Sequence, residues 1–177
     1  MKNIKLIVMD VDGTMTDGGI YFDSNGIEIK KFNVHDGAGI LLAQQVGIEF
    51  MILTGRKSVC VEKRAKELKI KYLYQGVSDK LGFLEEFIHK NGFEFSEIAY
   101  IGDDLNDYGL MSKVGVKVCP NNAVKEIKDI CDIQLSKNGG CGAIREFVEL
   151  LLKDVGSWAT AVEGLFGVKL EEQLCLK

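Results

Sequence analysis

The chain has 177 residues, 46% of them hydrophobic, which suits one compact domain with a sizeable core. A formal net charge of −4 argues against a nucleic-acid surface, which would show clustered Lys and Arg. Five cysteines with no C-x-x-C pair speak against a disulfide frame or a zinc site. The lack of a leader-like or membrane-length apolar stretch leads us to expect a soluble cytoplasmic protein with no membrane contact.

The first apolar run, residues 4–10, reads as a buried strand. It closes on Val8-Met9-Asp10-Val11-Asp12-Gly13-Thr14, with Asp17 shortly after, so like charges gather where a buried strand ends. Such a cluster is stable only beside a cation or with one carboxyl protonated. Residues 18–34 follow as two short strands around Asn25-Gly26, a pair that suits a type I′ hairpin turn.

From there the pattern alternates. Helices are predicted over 37–46, 57–69, 79–90, 104–113, 123–129 and 142–153. Strands are predicted over 49–53, 71–74, 98–102, 115–118 and 132–135. Apolar strands joined by crossover helices imply a three-layer, Rossmann-like α/β fold: a parallel sheet covered by helices on both faces, with an inserted hairpin. This domain is expected over residues 1–153, with a C-terminal tail over 154–177.

Sites in parallel sheets form outside the carboxyl ends of the strands. Four such ends carry chemistry here. Asp10 and Asp12 follow the first strand, and Thr54, Gly55 and Arg56 follow the second. Lys80 opens the third helix, and Asp103, Asp104 and Asp107 follow the fourth strand. Each alone has an ordinary reading as a turn, a cap or a solvated charge. Together they form the set that phosphoryl transfer requires. Mg²⁺ is held by a few carboxylates and by substrate phosphate oxygens. Asp10 and Asp103 suit that role from opposite sides, with the Asp12 carbonyl as a third ligand. One carboxylate can then act as nucleophile and another as acid and base. Thr54 and Lys80 would hold and neutralise the phosphoryl oxygens. Met15 stands where an EF-hand loop starting at Asp10 would need Gly, and neither a Walker A nor a G-x-G-x-x-G sequence occurs.

The motifs DVDGT, ILTGR, Lys80 and GDDLND resemble the four signature motifs of the haloacid dehalogenase superfamily of phosphatases. That resemblance implies Asp10 as nucleophile, Asp12 as acid/base, Thr54 and Lys80 as phosphate ligands, and Asp103 as metal ligand. Asp104 or Asp107 would support the metal or Lys80, and Gly13 would let the chain turn close to the phosphate. The intervals 18–53 and 56–80 leave no room for a cap domain. The hairpin, FNVHDGAGI, TGRK, YQGVSDK and NGGCGAIREF are similar to the 3-deoxy-D-manno-octulosonate 8-phosphate phosphatase family, capless tetramers on the route to lipopolysaccharide. By that resemblance Asn33, Asp36, Gly37, Gly55, Arg56 and Gly140 are substrate-side candidates. The hairpins would pack together in a homotetramer, and the tail, including Trp158 to Phe166, would shield a neighbour's site. Cys141 departs from the Arg expected after the glycine pair.

Three alternatives share parts of this pattern. A phosphatase of a nine-carbon 2-keto-3-deoxy sugar-acid 9-phosphate would carry an acidic residue at position 56, where a guanidinium instead suits a substrate carboxylate. A receiver-like module would take phosphate after its third strand and lack an acid/base at Asp12. A non-catalytic module fused to a sugar-activating enzyme would lack an intact Asp10. His35 can be read as a substrate contact or a surface residue, and His89 as an inert one.

Overall fold

The computed structural model describes residue 1 and residues 3–170. Six parallel strands form the central sheet: β1 (Leu6–Met9), β4 (Glu49–Thr54), β5 (Tyr72–Gln75), β6 (Ile98–Ile101), β7 (Val116–Cys119) and β8 (Ile133–Gln134). Their spatial order is β5-β4-β1-β6-β7-β8. The chain builds outward from β1 in one direction, returns, and builds outward in the other. A crevice is therefore expected at the carboxyl ends of β1, β4 and β6.

Side chains alternate across this sheet as strand geometry requires. Ile7, Met9, Phe50 and Ile52 point to one face and pack with α1 (Val34–Gln45), α2 (Val59–Glu67) and α6 (Ala143–Asp154). Leu6, Val8, Met51 and Leu53 point to the other, against α3 (Lys80–Asn91), α4 (Leu105–Met111) and α5 (Lys125–Ile130). Both faces are covered, as the unbroken apolar runs imply. No described helix is long and apolar enough to cross a membrane.

The structure corrects three expectations. Helix α1 starts at Val34 rather than residue 37, because Asn33 caps it by accepting from the His35 N–H at 2.8 Å. The glycines Gly37 and Gly39 lie inside the helix, where the chain packs closely against Arg64 and Arg145.

The hairpin is real but its turn is not type I′. Strands β2 (Tyr21–Phe22) and β3 (Glu28–Ile29) pair antiparallel. Gly26 has φ +75° while Asn25 stays at negative φ, and type I′ needs both positive. A longer loop forms instead, closed by the Asp23 carboxylate, which accepts from the Asn25 and Ile27 N–H groups at 2.9 and 2.8 Å.

The third correction concerns the tail. Residues Trp158–Phe166 form α7, which packs on α1 and α6 of the same chain and buries Ala161 and Val162. The Trp158 ring lies 5.2 Å from both the Arg145 guanidinium and the Lys153 ammonium. Within the chain this segment folds back on its own domain, and the packed unit continues past the expected boundary at Asp154. Residues 171–177 of the expected tail lie outside the described residues. Truncation after Asp154 should destabilise the protein by a few kcal/mol, since burying Val162 alone is worth about 2 kcal/mol. Thermal unfolding of the truncated chain checks this, and an unchanged Tm would contradict the packing role.

Candidate active site

Asp10 follows β1, and its N–H donates to the Ile101 carbonyl at 3.1 Å, which carries the sheet pairing one residue past the strand. Thr54 is the last residue of β4 and Lys80 the first of α3. Asp103 sits between β6 and α4. Asp10, Thr54, Lys80 and Asp107 are all nearly or wholly buried, at 5%, 3%, 3% and 0% exposure. Charges are rarely this buried unless paired.

Lys80 provides the pairing. Its Nζ stands 2.7 Å from Asp107 Oδ1 and 3.1 Å from Asp10 Oδ1, and it donates to the Tyr100 hydroxyl at 3.3 Å. The Tyr100 hydroxyl in turn donates to Asp107 Oδ1 at 2.6 Å, and the Asp103 N–H donates to Asp107 Oδ2 at 3.1 Å. Asp107 is thus the residue that holds Lys80. Asp104 instead caps α4, accepting from the Leu105 N–H at 2.7 Å. Burial raises the Tyr100 phenol well above its ordinary value, so it stays protonated as a donor.

Carboxylate oxygens of Asp10, Asp103 and Asp107 all lie within 4.8 Å of one another. Both oxygens of Asp107 are already engaged. Asp103 gives Oδ1 to the Thr14 hydroxyl at 2.9 Å and keeps Oδ2. Asp10 Oδ1 is buried without a hydrogen bond among the described residues, and it meets Lys80 as an ion pair at 3.1 Å. Among the described residues the Asp12 carbonyl accepts no backbone bond either. This donor set, all oxygen and in part unpartnered, fits a hard divalent cation.

Burial, with Asp107 adding to it and Lys80 opposing, raises the Asp10 carboxyl. Asp103 rises to about 7, mainly through burial and despite its Thr14 hydrogen bond. An acid with a raised folded value holds a proton that the unfolded chain has lost, so this group weakens stability as pH climbs from about 4 to about 7. In the metal-free protein Tm should fall over that range, and Mg²⁺ should raise Tm more at pH 8 than at pH 5. Scanning fluorimetry checks both, and an Asp103→Asn chain with the same profile would contradict the assignment.

The loop after β1 is wrapped tightly. Gly13 has φ +88°, and a Cβ there would lie 2.0 Å from Asp103 Oδ2. The Asn122 side chain donates to the Gly13 carbonyl at 3.0 Å and accepts from the Gly139 N–H at 2.6 Å. Gly140 is buried against Thr16 and Asp17, with φ +64°.

This packing gives several of the substrate-side candidates structural roles. Gly140 has no open face. Asp36 is buried and accepts from the N–H groups of Gly142 at 3.3 Å and Arg145 at 2.9 Å, so it caps α6. A Cβ on Gly37 would meet Arg64 Nη2 at 2.4 Å, so this glycine lets α2 approach. Asn33 caps α1 and donates to the Gly140 carbonyl at 3.4 Å. Of that set, Gly55 is exposed and Arg56 half-exposed at the crevice edge.

The sequence reading missed the hairpin's own contribution. Lys30 forms an ion pair with Asp12 Oδ1 and lies 3.4 Å from Glu28 Oε1. Arg56 Nη2 reaches Glu28 Oε1 at 2.8 Å, and its Nε stands 3.9 Å from Asp12 Oδ2. Ser58 donates to Glu28 Oε2. The signal was present in the alternation: Glu28 and Lys30 share one face of the strand, while Ile27 and Ile29 share the other.

A family model described as haloacid dehalogenase-like hydrolase matches residues 73–147. The 3-deoxy-D-manno-octulosonate 8-phosphate phosphatase of Escherichia coli K12 is 44% identical over 151 residues, covering 85% of this chain and 80% of that one. The crystal structure of the same phosphatase from Moraxella catarrhalis, in complex with magnesium, phosphate and KDO, superimposes with a TM-score of 0.88 at 42% identity. It covers 91% of this chain and 92% of that one. The Yersinia pestis enzyme superimposes with a TM-score of 0.86 at 39% identity, covering 89% and 85%. With the buried Lys80 between two carboxylates at the carboxyl edge of a capless parallel sheet, the chain belongs to the haloacid dehalogenase-like hydrolases, in the 3-deoxy-D-manno-octulosonate 8-phosphate phosphatase family.

Proposed function

We propose that this enzyme hydrolyses 3-deoxy-D-manno-octulosonate 8-phosphate to the free sugar acid and inorganic phosphate in the cytoplasm, supplying lipopolysaccharide synthesis. The observation that carries the reading is the Asp10–Lys80–Asp107 cluster beside Asp103, on a chain so similar to enzymes of that activity. Asp10 and Asp103 would hold Mg²⁺ with the Asp12 carbonyl. Bound there, the ion supplies positive charge that offsets the carboxylates and the phosphoryl oxygens.

An Asp10 oxygen forms a bond to phosphorus as the bond from phosphorus to the sugar oxygen breaks, and Asp12 gives that oxygen its proton. Water then loses a proton to Asp12, attacks phosphorus, and frees phosphate and the Asp10 carboxylate. Thr54 and Lys80 hold the phosphoryl oxygens throughout, in a site whose groups are already oriented by burial.

Arg56 pairs with the substrate carboxylate through the guanidinium edge that Glu28 leaves open. On this reading Arg56→Ala should lower kcat/KM for the sugar-acid phosphate by about 10²-fold and barely change it for a neutral sugar phosphate. A panel of eight- and nine-carbon 2-keto-3-deoxy acid phosphates and neutral sugar phosphates tests both statements. Preference for the nine-carbon acid would overturn the substrate, and equal losses on acid and neutral substrates would move Arg56 to the phosphate or to folding.

The same hairpin is the assembly surface of a homotetramer. Ile20, Tyr21, Phe22, Ile27 and Ile29 are 46–61% exposed, and exposed apolar side chains gathered on one hairpin mark an interaction site. A lone two-stranded hairpin is marginal in water, and closed symmetry lets copies cover one another. Light scattering should report four chains, and a monomer would contradict the assembly.

A further inference from the structure

We propose that Lys30, carried by the hairpin, is a positioning residue that fixes the Asp12 carboxyl for proton transfer to the leaving oxygen. The inference rests on the acid/base reading of Asp12 above. Lysine ordinarily keeps its ammonium in water while its stem lies on the surface. Here the side chain is only 2% exposed, although it sits on a two-stranded ribbon at the edge of the molecule. A desolvated ammonium persists only where its donors are matched. Lys30 meets Asp12 Oδ1 directly and Glu28 Oε1 at 3.4 Å.

Glu28 is itself fixed by Arg56 at 2.8 Å and by the Ser58 hydroxyl. The chain of contacts therefore runs from the loop after β1, through the hairpin, to the loop after β4. One oxygen of Asp12 is held by Lys30. The other faces Arg56 Nε at 3.9 Å, toward the side where the substrate is expected. With Oδ1 held, the carboxyl cannot rotate freely, and Oδ2 stays presented for the proton. The opposite face of the same strand carries exposed Ile27 and Ile29. One hairpin thus offers a buried charged face to the chemistry and an apolar face to the outside. A pair that merely anchored the hairpin would need no contact with the acid/base residue.

The test compares leaving groups. A sugar alkoxide needs its proton as it departs, whereas p-nitrophenolate leaves without help, so only the first depends on an acid in place. The ratio kcat/KM ends at departure of the alcohol and excludes the later hydrolysis. Lys30→Met should lower kcat/KM for the sugar-acid phosphate by about 10- to 100-fold, within the range that a misplaced general acid costs. For p-nitrophenyl phosphate the loss should stay below about threefold, as expected when no proton is required. Equal losses on both substrates, or none on either, would overturn the proposal. If Lys30→Met does not fold, Lys30→Gln is read the same way, and failure of both to fold would assign the pair to folding and overturn it. Asp12→Asn, run beside them, must show the same split more strongly. If it shows no split, the acid role of Asp12 fails; if it does and the Lys30 variants do not, the Lys30 inference alone fails.

Discussion

Asp10→Asn should abolish turnover, by about 10⁴-fold or more, while the protein folds and keeps its oligomeric state. The amide has the shape of the carboxylate but cannot attack phosphorus. The variant also relieves the strain that raises Asp10: a buried charge beside Asp107, offset by Lys80. Its Tm in the absence of metal should therefore be equal to or above that of the unaltered chain. Mg²⁺ should protect it less, because one of the two free carboxylate donors is gone. Full activity in Asp10→Asn would remove the covalent route, and loss of fold would make Asp10 a structural residue.

Asp107→Ala should have the second largest effect, and chiefly on stability. Asp107 is fully buried and joins Lys80, Tyr100 and the Asp103 N–H. Removing one member of a buried pair leaves an uncompensated charge and costs about 3–5 kcal/mol. For a chain of this size that is a fall in Tm on the order of 10 °C. Lys80 would then keep Asp10 and the Tyr100 hydroxyl, drawing its charge onto the residue that must reach phosphorus, so activity should fall too. Asp107→Asn retains an acceptor for Tyr100 and should be milder on stability. A neutral outcome for Asp107→Ala would show that Lys80 is held some other way.

Much of this arrangement is legible in the residues because strand ends in a parallel sheet converge. The apolar runs at Leu6–Met9, Glu49–Thr54 and Ile98–Ile101 place Asp10, Thr54 and Asp103 on one edge without further information. Lys80 follows because a first-turn residue of the next helix faces the same edge. What the residues alone conceal is long-range contact. Asp36 reads as a substrate-side candidate, yet its partners Gly142 and Arg145 are more than a hundred positions away. Gly37 and Gly140 read as substrate-side, but only the packed neighbours Arg64 and Thr16 reveal why they lack side chains. Helix α7 was hidden because its apolar residues looked like material for another subunit, whereas α1 offers them a surface in the same chain. Lys30 and Glu28 were hidden by the opposite error: attention to the apolar face of the hairpin left the charged face unread.

The most direct test of the account is to find the phosphoryl group itself. The Asp12→Asn chain, lacking the base that frees the phosphate, is incubated with Mg²⁺ and p-nitrophenyl phosphate, whose leaving group needs no acid, then quenched in acid, digested and weighed by mass spectrometry. The account predicts one phosphoryl group on the peptide that carries Asp10, removable by hydroxylamine as an acyl phosphate is. Release of p-nitrophenol with no phosphoryl group on Asp10, or with the group on another residue, would contradict it.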